Sequence, residues 1–550
     1  MRAGVALFFS FRFCLLVVLA LAMTLPSSAQ SSASLSVAER IQKVMNQPEF
    51  AHANFGIEFY SPDTGKAVFS LNDQELFVPA STTKLLTEGT VLASLGADFR
   101  FYTRIYRTGA VDSKGRLKGD LVLVASGDPN LSNRIQSDGT LAFANNDHSY
   151  SGSALPGDPL IVIRQLAKGV AAKGIRKIEG RVLVDSSLFP ETPWEGEGGG
   201  GVVISPIVVN DNLIDLVMTP AAKIGDPVVL DSSPATSYVK FINHLTTAGA
   251  NTSVSLDPPQ IKTNADGTVI ATLTGSLPLG APRTYAPLFV PSPTVFTETV
   301  LREALEEVGI KAKVATIMPA PDFQSYRRFY AAGAEVAEHI SLPLAEEIKV
   351  TLKVSQNLHA FMGPYLLGAL VAKNAKDPFK AGFAVEKKFL EDAKLDLSGA
   401  SQGDGAGGSW ADLFTPDFMC HYLAYWTTRP DYPTFLRGLP ILGRDGTLAD
   451  IDRTSPAVGH VFAKTGTFDS EDTLNDIVML NGKGLAGYVI RADGKRLTFA
   501  AYVNHVHMRL SPEAAAHALA EALGQIAAAA YDAPLDEIAP EERHETREQR

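Results

Sequence analysis

Three short runs carry the chemistry this sequence can do. The first is Ser81-Thr82-Thr83-Lys84. A serine and a lysine three residues apart share one face of a helix, so the amine reaches the hydroxyl. Serine attacks a carbonyl only when a neighbouring base takes its proton. An amine does so once burial or nearby positive charge has made it neutral. A nucleophile at a helix N-terminus also has backbone amides at hand for a developing oxyanion. Standing alone, the run reads more simply as a helix cap and a solvated lysine. The second is Ser355-Gln356-Asn357, on or before a helix. Its hydroxyl would relay a proton to a leaving amine, and its amide would orient substrate and lysine; alone it is a polar turn. The third is Lys464-Thr465-Gly466-Thr467, ending a strand. A cation and two hydroxyls on a sheet edge suit a carboxylate, and Gly466 lets a substrate backbone approach. Alone, it is an edge strand with solvated side chains.

Residues so far apart must be brought together by the fold. Val37, Ile41, Val44 and Met45 follow helical spacing, and 55–61 and 66–71 read as strands joined by Pro62-Asp63-Thr64-Gly65. Pro79 to Lys84 then enters a helix with Leu85, Leu92 and Leu95 on one side. From about 101 to 291, short β-rich runs (121–125, 181–185, 213–218, 269–273) alternate with turn residues. One helix, 159–173, interrupts them, and the stretch 196–201 reads as a glycine-rich loop. Helical periodicity returns at 295–308 and 342–372. Strands follow at 459–467, 487–492 and 495–503, the last two joined by Asp493-Gly494, which as a two-residue turn would place both residues at positive φ. Ser511-Pro512 starts a terminal helix to about 530.

This order predicts an antiparallel sheet with helices on both sides and the terminal helices packed together. The expected division is a leader at 1–29, a discontinuous core from 36–102 and 310–535, inserted β-rich domains over 103–309, and a charged tail at 536–550.

The chain has 550 residues, 45% hydrophobic and 20% charged, which suits a folded protein of two to four domains. Arg2 and Arg12, the apolar run 13–25, and Pro26-Ser27-Ser28-Ala29 read as an export leader, the run being short for a membrane span. A net charge of −11 without a basic stripe argues against nucleic acid as a partner. Cys14 falls in the leader, so Cys420, among Phe418, Met419, Tyr422 and Leu423, is expected to be a packing thiol without a disulfide partner.

In this order and on these elements, the three runs form the Ser-x-x-Lys, Ser-x-Asn and Lys-Thr-Gly set of penicillin-binding proteins and related β-lactamases. The chain resembles more specifically the class C, low-molecular-mass penicillin-binding proteins, which are D-alanyl-D-alanine carboxypeptidase/endopeptidases. Supporting stretches are Ser126-Gly127-Asp128-Pro129, Ile178-Glu179-Gly180-Arg181-Val182, His339-Ile340-Ser341-Leu342-Pro343-Leu344, and Leu439-Pro440 with Asp445-Gly446-Thr447-Leu448. The long interval between Ser81 and Ser355 is also typical of that class. The family's usual Asp-Gly-Ser-Gly-Leu-Ser stands here as Asp404-Gly405-Ala406-Gly407-Gly408-Ser409, and Gln356 replaces the common Asp or Asn.

The resemblance implies an α/β fold of the α+β type with a serine DD-peptidase/β-lactamase-like core. It implies Ser81 as nucleophile, Lys84 as its base, Ser355 passing the proton onward and Asn357 orienting. Lys464, Thr465 and Thr467, beside Gly466, would bind the terminal carboxylate, and the amides of Ser81 and Thr467 would form the oxyanion hole. Related enzymes leave the identity of the base open. The implied partners are peptidoglycan peptides and β-lactams. No metal or other cofactor is expected, and the location is periplasmic. The resemblance fixes neither the oligomeric state nor the balance of carboxypeptidase and endopeptidase activity.

Other readings compete. Gly399-Ala400-Ser401-Gln402-Gly403 matches the nucleophile elbow of α/β-hydrolases, but a buried strand before it and a helix after it are both lacking in the pattern. The overlapping Gly403-x-Gly405-x-x-Gly408 lacks the βαβ context of a dinucleotide site. His505-Val506-His507 has no carboxylate or cysteine cluster beside it and reads as packed or solvated histidines. A β-lactam sensor or wall-binding scaffold of the same fold is the non-enzymatic alternative.

Overall fold

The computed structural model describes residues 35–194, 201–312, 321–475 and 477–535. The expected leader, the charged tail and most of the glycine-rich loop lie outside these residues.

A five-stranded antiparallel sheet forms the centre, in the order Lys66–Leu71, Asn54–Ser61, Arg496–His507, Ile477–Ile490, Val461–Asp472. Its strands come from both ends of the chain, so each flank of the long interval needs the other. Side chains alternate between the sheet's two faces. Phe499, Ala501 and Val503 join one apolar cluster with Val37, Ile41, Leu519 and Leu523 of the terminal helices Val37–Met45 and Pro512–Ala529. Ala500 and Tyr502 join another, with Leu85, Leu92, Phe418 and Trp426. The terminal helices start where their caps dictate. Ser36 and Glu39 form a reciprocal capping box, and the Ser511 hydroxyl accepts from the Ala514 amide. Cys420 is fully buried in the second cluster.

Two local expectations change. The Asp493-Gly494 connection is not a two-residue turn. Arg491 N donates to Lys495 O at 2.9 Å, and only Gly494 has positive φ, +81°. A three-residue loop needs one left-handed position, where a two-residue turn needs two. The helix after Pro79 is also delayed: Ala80–Thr83 is a 3₁₀ turn, and the regular helix runs over Lys84–Leu95. Ala80 sits at φ +46°, outside helical geometry.

The intervening region is β-rich. A four-stranded sheet in the order Glu335–Ile340, Tyr102–Arg107, Leu121–Val124, Val182–Asp185 packs with helices Ile161–Ala172 and Pro293–Glu307. A second sheet holds Val229–Ser233, Leu213–Thr219 and Thr284–Phe289; a third pairs Val239–Ala248 with Val269–Pro278 in parallel. Side chains of all these sheets share one apolar cluster, separate from those of the central sheet. The strand Glu335–Ile340, beyond residue 309, completes the first sheet. There Asp128 and His339, from stretches far apart in the chain, approach to 3.6 Å.

Candidate active site

The 3₁₀ turn carries Ser81, and the helix it opens carries Lys84. The next motif occupies a joint between two helices. Leu344–Val354 ends at Ser355, in left-handed conformation at φ +62°, and Asn357 begins Asn357–Leu366. Gln356 is turned away, its side chain accepting from the Leu358 amide as a helix cap. The third motif lies on the edge strand Val461–Asp472 of the central sheet. Ser81, Ser355, Asn357, Thr465, Gly466 and Thr467 line one cavity of about 530 Å³. Lys84 and Lys464 are fully buried beneath it.

Lys84 Nζ has three neighbours. It lies 2.7 Å from Ser81 Oγ, 2.8 Å from Asn357 Oδ1 and 3.0 Å from the Ala406 carbonyl. The last two are pure acceptors, so each takes an N–H. In the neutral amine the remaining direction, the lone pair, then points at the Ser81 hydroxyl. Burial drives Lys84 from the ordinary lysine value down to about 7, against the opposing pull of Asp404, Glu88 and Asp412. A fraction of neutral amine therefore exists at physiological pH.

The Asp404 loop earns its place through this contact. The Asp404 carboxylate accepts from the amides of Ala406 at 2.7 Å and Gly407 at 2.6 Å, and also from Gly408. This fold turns the Ala406 carbonyl onto Lys84. Gly407 has φ +89°, and a Cβ there would lie 1.9 Å from Ala80 O. The loop thus packs directly on the peptide before Ser81.

Lys464 Nζ donates to Ser355 Oγ and to the Thr465 carbonyl, both at 2.8 Å. Burial, Lys84 and Lys483 together hold it well below the ordinary lysine range. Thr465 Oγ1 pairs with Thr447 Oγ1 at 2.8 Å. A Cβ on Gly466 would lie 2.5 Å from Pro79 O and 2.9 Å from Ser81 N. Glycine is needed here by the chain itself, because the strand passes against the turn that carries Ser81.

The opposite wall comes from the β-rich region. Asn145, Asn146, Asp147, Tyr150 and Trp194 line the cavity. The Tyr150 hydroxyl donates to Ser355 O at 2.6 Å, and Asn145 Oδ1 accepts from Gly446 N at 2.9 Å. Behind them, buried Arg134 pairs with Asp147 and with Asp211 at 2.7 Å, while His148 bridges Asp211 and Asp215, each at 2.7 Å. Asp211 also takes His359 Nε2 at 2.9 Å, from the helix that starts with Asn357. No short motif marks these residues.

Ser401 stands elsewhere. It is exposed on a two-residue strand paired with Leu413–Phe414, and turns follow it, so the hydrolase-elbow alternative fails on geometry. His505 and His507 are exposed, and His507 contacts Asp472.

The profile of the D-Ala-D-Ala carboxypeptidase 3 (S13) family matches residues 37–526. Over 512 residues the chain is 28% identical to a D-alanyl-D-alanine carboxypeptidase of Actinomadura sp., covering 89% of this chain and 84% of that one. It is 24% identical to the penicillin-sensitive carboxypeptidase A of Dictyostelium discoideum, covering 77% and 79%. The fold is similar to that of penicillin binding protein 4 from Haemophilus influenzae, with TM-score 0.67, 21% identity, and coverage of 90% and 98%.

Proposed function

We infer that this chain, which belongs to the D-Ala-D-Ala carboxypeptidase 3 (S13) family, is a serine-type D-alanyl-D-alanine carboxypeptidase/endopeptidase working through an acyl-enzyme on Ser81. The observation that carries the reading is the placement of Lys84 Nζ between Ser81 Oγ, Asn357 Oδ1 and the Ala406 carbonyl.

Neutral Lys84 takes the Ser81 proton as Oγ attacks the carbonyl between the two D-alanines. The oxyanion forms against the amides of Ser81 and Thr467, which lie on adjoining segments of the cavity wall. Ser355, held by Lys464, passes a proton to the departing amine as the C–N bond breaks. The terminal carboxylate sits at Lys464, Thr465 and Thr467, and Asn357 orients Lys84 and the peptide. Water then releases the acyl group from Ser81. The substrate is peptidoglycan peptide, and β-lactams acylate the same serine. The naming of one relative as penicillin-sensitive, and a solved similar structure complexed with a β-lactam, support this.

Residues 103–309, closed by the returning strand Glu335–Ile340, act as an inserted module that frames and orients the wall peptide. The work site is the periplasm, with the leader cut near Gln30. Among the described residues no helix is long and apolar enough to cross a membrane.

Intact-mass analysis after incubation with penicillin, followed by peptide mapping, tests the reading. One adduct on Ser81 is expected, together with D-alanine release from a D-Ala-D-Ala peptide. An adduct on another residue, or none on folded protein, overturns it. Acylation without turnover of any wall peptide replaces it with a sensor. N-terminal sequencing of protein from its native host tests export, and retention of 1–29 overturns the cleavage.

A further inference from the structure

Behind Thr467, at the cavity's edge, lies a buried cation that no motif announces. Lys483 lies on Ile477–Ile490, directly across the strand pair from Thr467. Opposed residues of an antiparallel pair project to the same side. Only 5% of Lys483 is exposed, and its Nζ donates to Thr467 Oγ1 at 2.6 Å. Thr467 itself lines the cavity and is exposed.

A threonine hydroxyl has one proton and two lone pairs, whereas an ammonium can only donate. With Lys483 occupying a lone pair, the Thr467 proton must go to another acceptor. The open side of Thr467 is the cavity. Burial lowers Lys483 to about 8, with Asp469 pulling the other way, so the charged form still dominates at neutral pH.

We infer that Lys483 is a specificity-determining positioning residue: its contact with Thr467 Oγ1 commits the Thr467 hydroxyl to donate into the cavity, selecting substrates with a carboxylate beside the scissile bond. The inference rests on the carboxylate reading of Lys464, Thr465 and Thr467. With Lys483 gone, the Thr467 hydroxyl is free to accept as well as donate, and the preference for an anion weakens.

The test uses the full chain and two probes, a peptide ending in D-Ala-D-Ala and the same peptide as its C-terminal amide. Lys483→Met is expected to lower the acid-to-amide ratio of kcat/KM about tenfold, the size of one charge-assisted hydrogen bond, with the loss concentrated in KM for the acid. Lys483→Arg should recover much of the ratio. In a Thr467→Val background, Lys483→Met should change the ratio little further, since the two act as one unit. Equal losses on acid and amide, or fully additive effects in that cycle, overturn the role of Lys483. Should Lys483→Met not fold, Thr467→Val alone must still lower the ratio, and Lys483→Arg must lower it less. A wild-type enzyme indifferent to the carboxylate overturns the reading of Lys464–Thr467, and this inference with it.

Discussion

The Tyr150 hydroxyl donates to the Ser355 carbonyl at 2.6 Å, tying the β-rich region to the backbone of the second motif. Ser355 sits at φ +62°, a conformation that costs free energy for a residue with a Cβ and persists only where surroundings hold it. Tyr150→Phe removes that hold while keeping the ring. Acylation by penicillin should slow about tenfold, matching one lost hydrogen bond. The loss should fall in kcat more than in KM. Unchanged acylation rates, measured by stopped flow, would exclude a positioning role for Tyr150.

Lys84→Ala removes the proposed base. Loss of a general base slows a reaction by about 10²–10⁴. Intact-mass time courses with penicillin should show that drop on a protein whose circular dichroism matches the wild type. Near-wild-type acylation would move the base elsewhere.

The pH profile follows from the direction of the Lys84 shift. A protonated amine cannot accept the serine proton, and burial brings its value down to about 7. The acylation rate should therefore rise through about pH 7 and level off above it. A rate that is flat between pH 5 and 9, or that falls across this range, contradicts neutral Lys84 as the acceptor.

Gly407→Ala tests the loop beside Ser81. Its φ of +89° disfavours a side chain, and the new Cβ would meet Ala80 O at 1.9 Å. The loop must shift, taking the Ala406 carbonyl off Lys84. The expected result is a destabilisation of about 2 kcal/mol, together with slower acylation. A variant with wild-type melting temperature and acylation rate would show that the loop tolerates displacement.

His148 links proton binding to stability. Burial alone would disfavour its charge, but hydrogen bonds to Asp211 and Asp215, with Asp211 and Asp147 nearby, raise it to about 10. A raised folded value means the unfolded chain loses its proton first. The stabilisation is complete below the ordinary histidine value of about 6.5 and is lost as pH rises toward about 10. The melting temperature of wild type minus that of His148→Gln should therefore shrink between pH 6.5 and pH 10. A difference that is constant across this range would show that His148 is neutral in the folded protein.

The sequence by itself determined the elements and the chemical identity of three motifs. Spacing put Lys84 within reach of Ser81, because three residues bring side chains to one helix face. The cap at Ser511 marked a helix start, because a free amide is satisfied by the nearest hydroxyl. Family resemblance supplied the order in which the motifs belong together. Tertiary structure decided what those residues can do. Lys84 meets Asn357 across 273 positions and Ala406 across 322, and its lowered affinity for protons comes from a burial that no local pattern records. The same holds for Tyr150, Asn145 and Lys483. None of them belongs to a recognisable motif, and each gained its role only when a strand or turn from a distant part of the chain was set against the cavity. Periodicity encodes which face a residue takes within one element, whereas desolvation and hydrogen-bond partners arise between elements and appear only once these have packed.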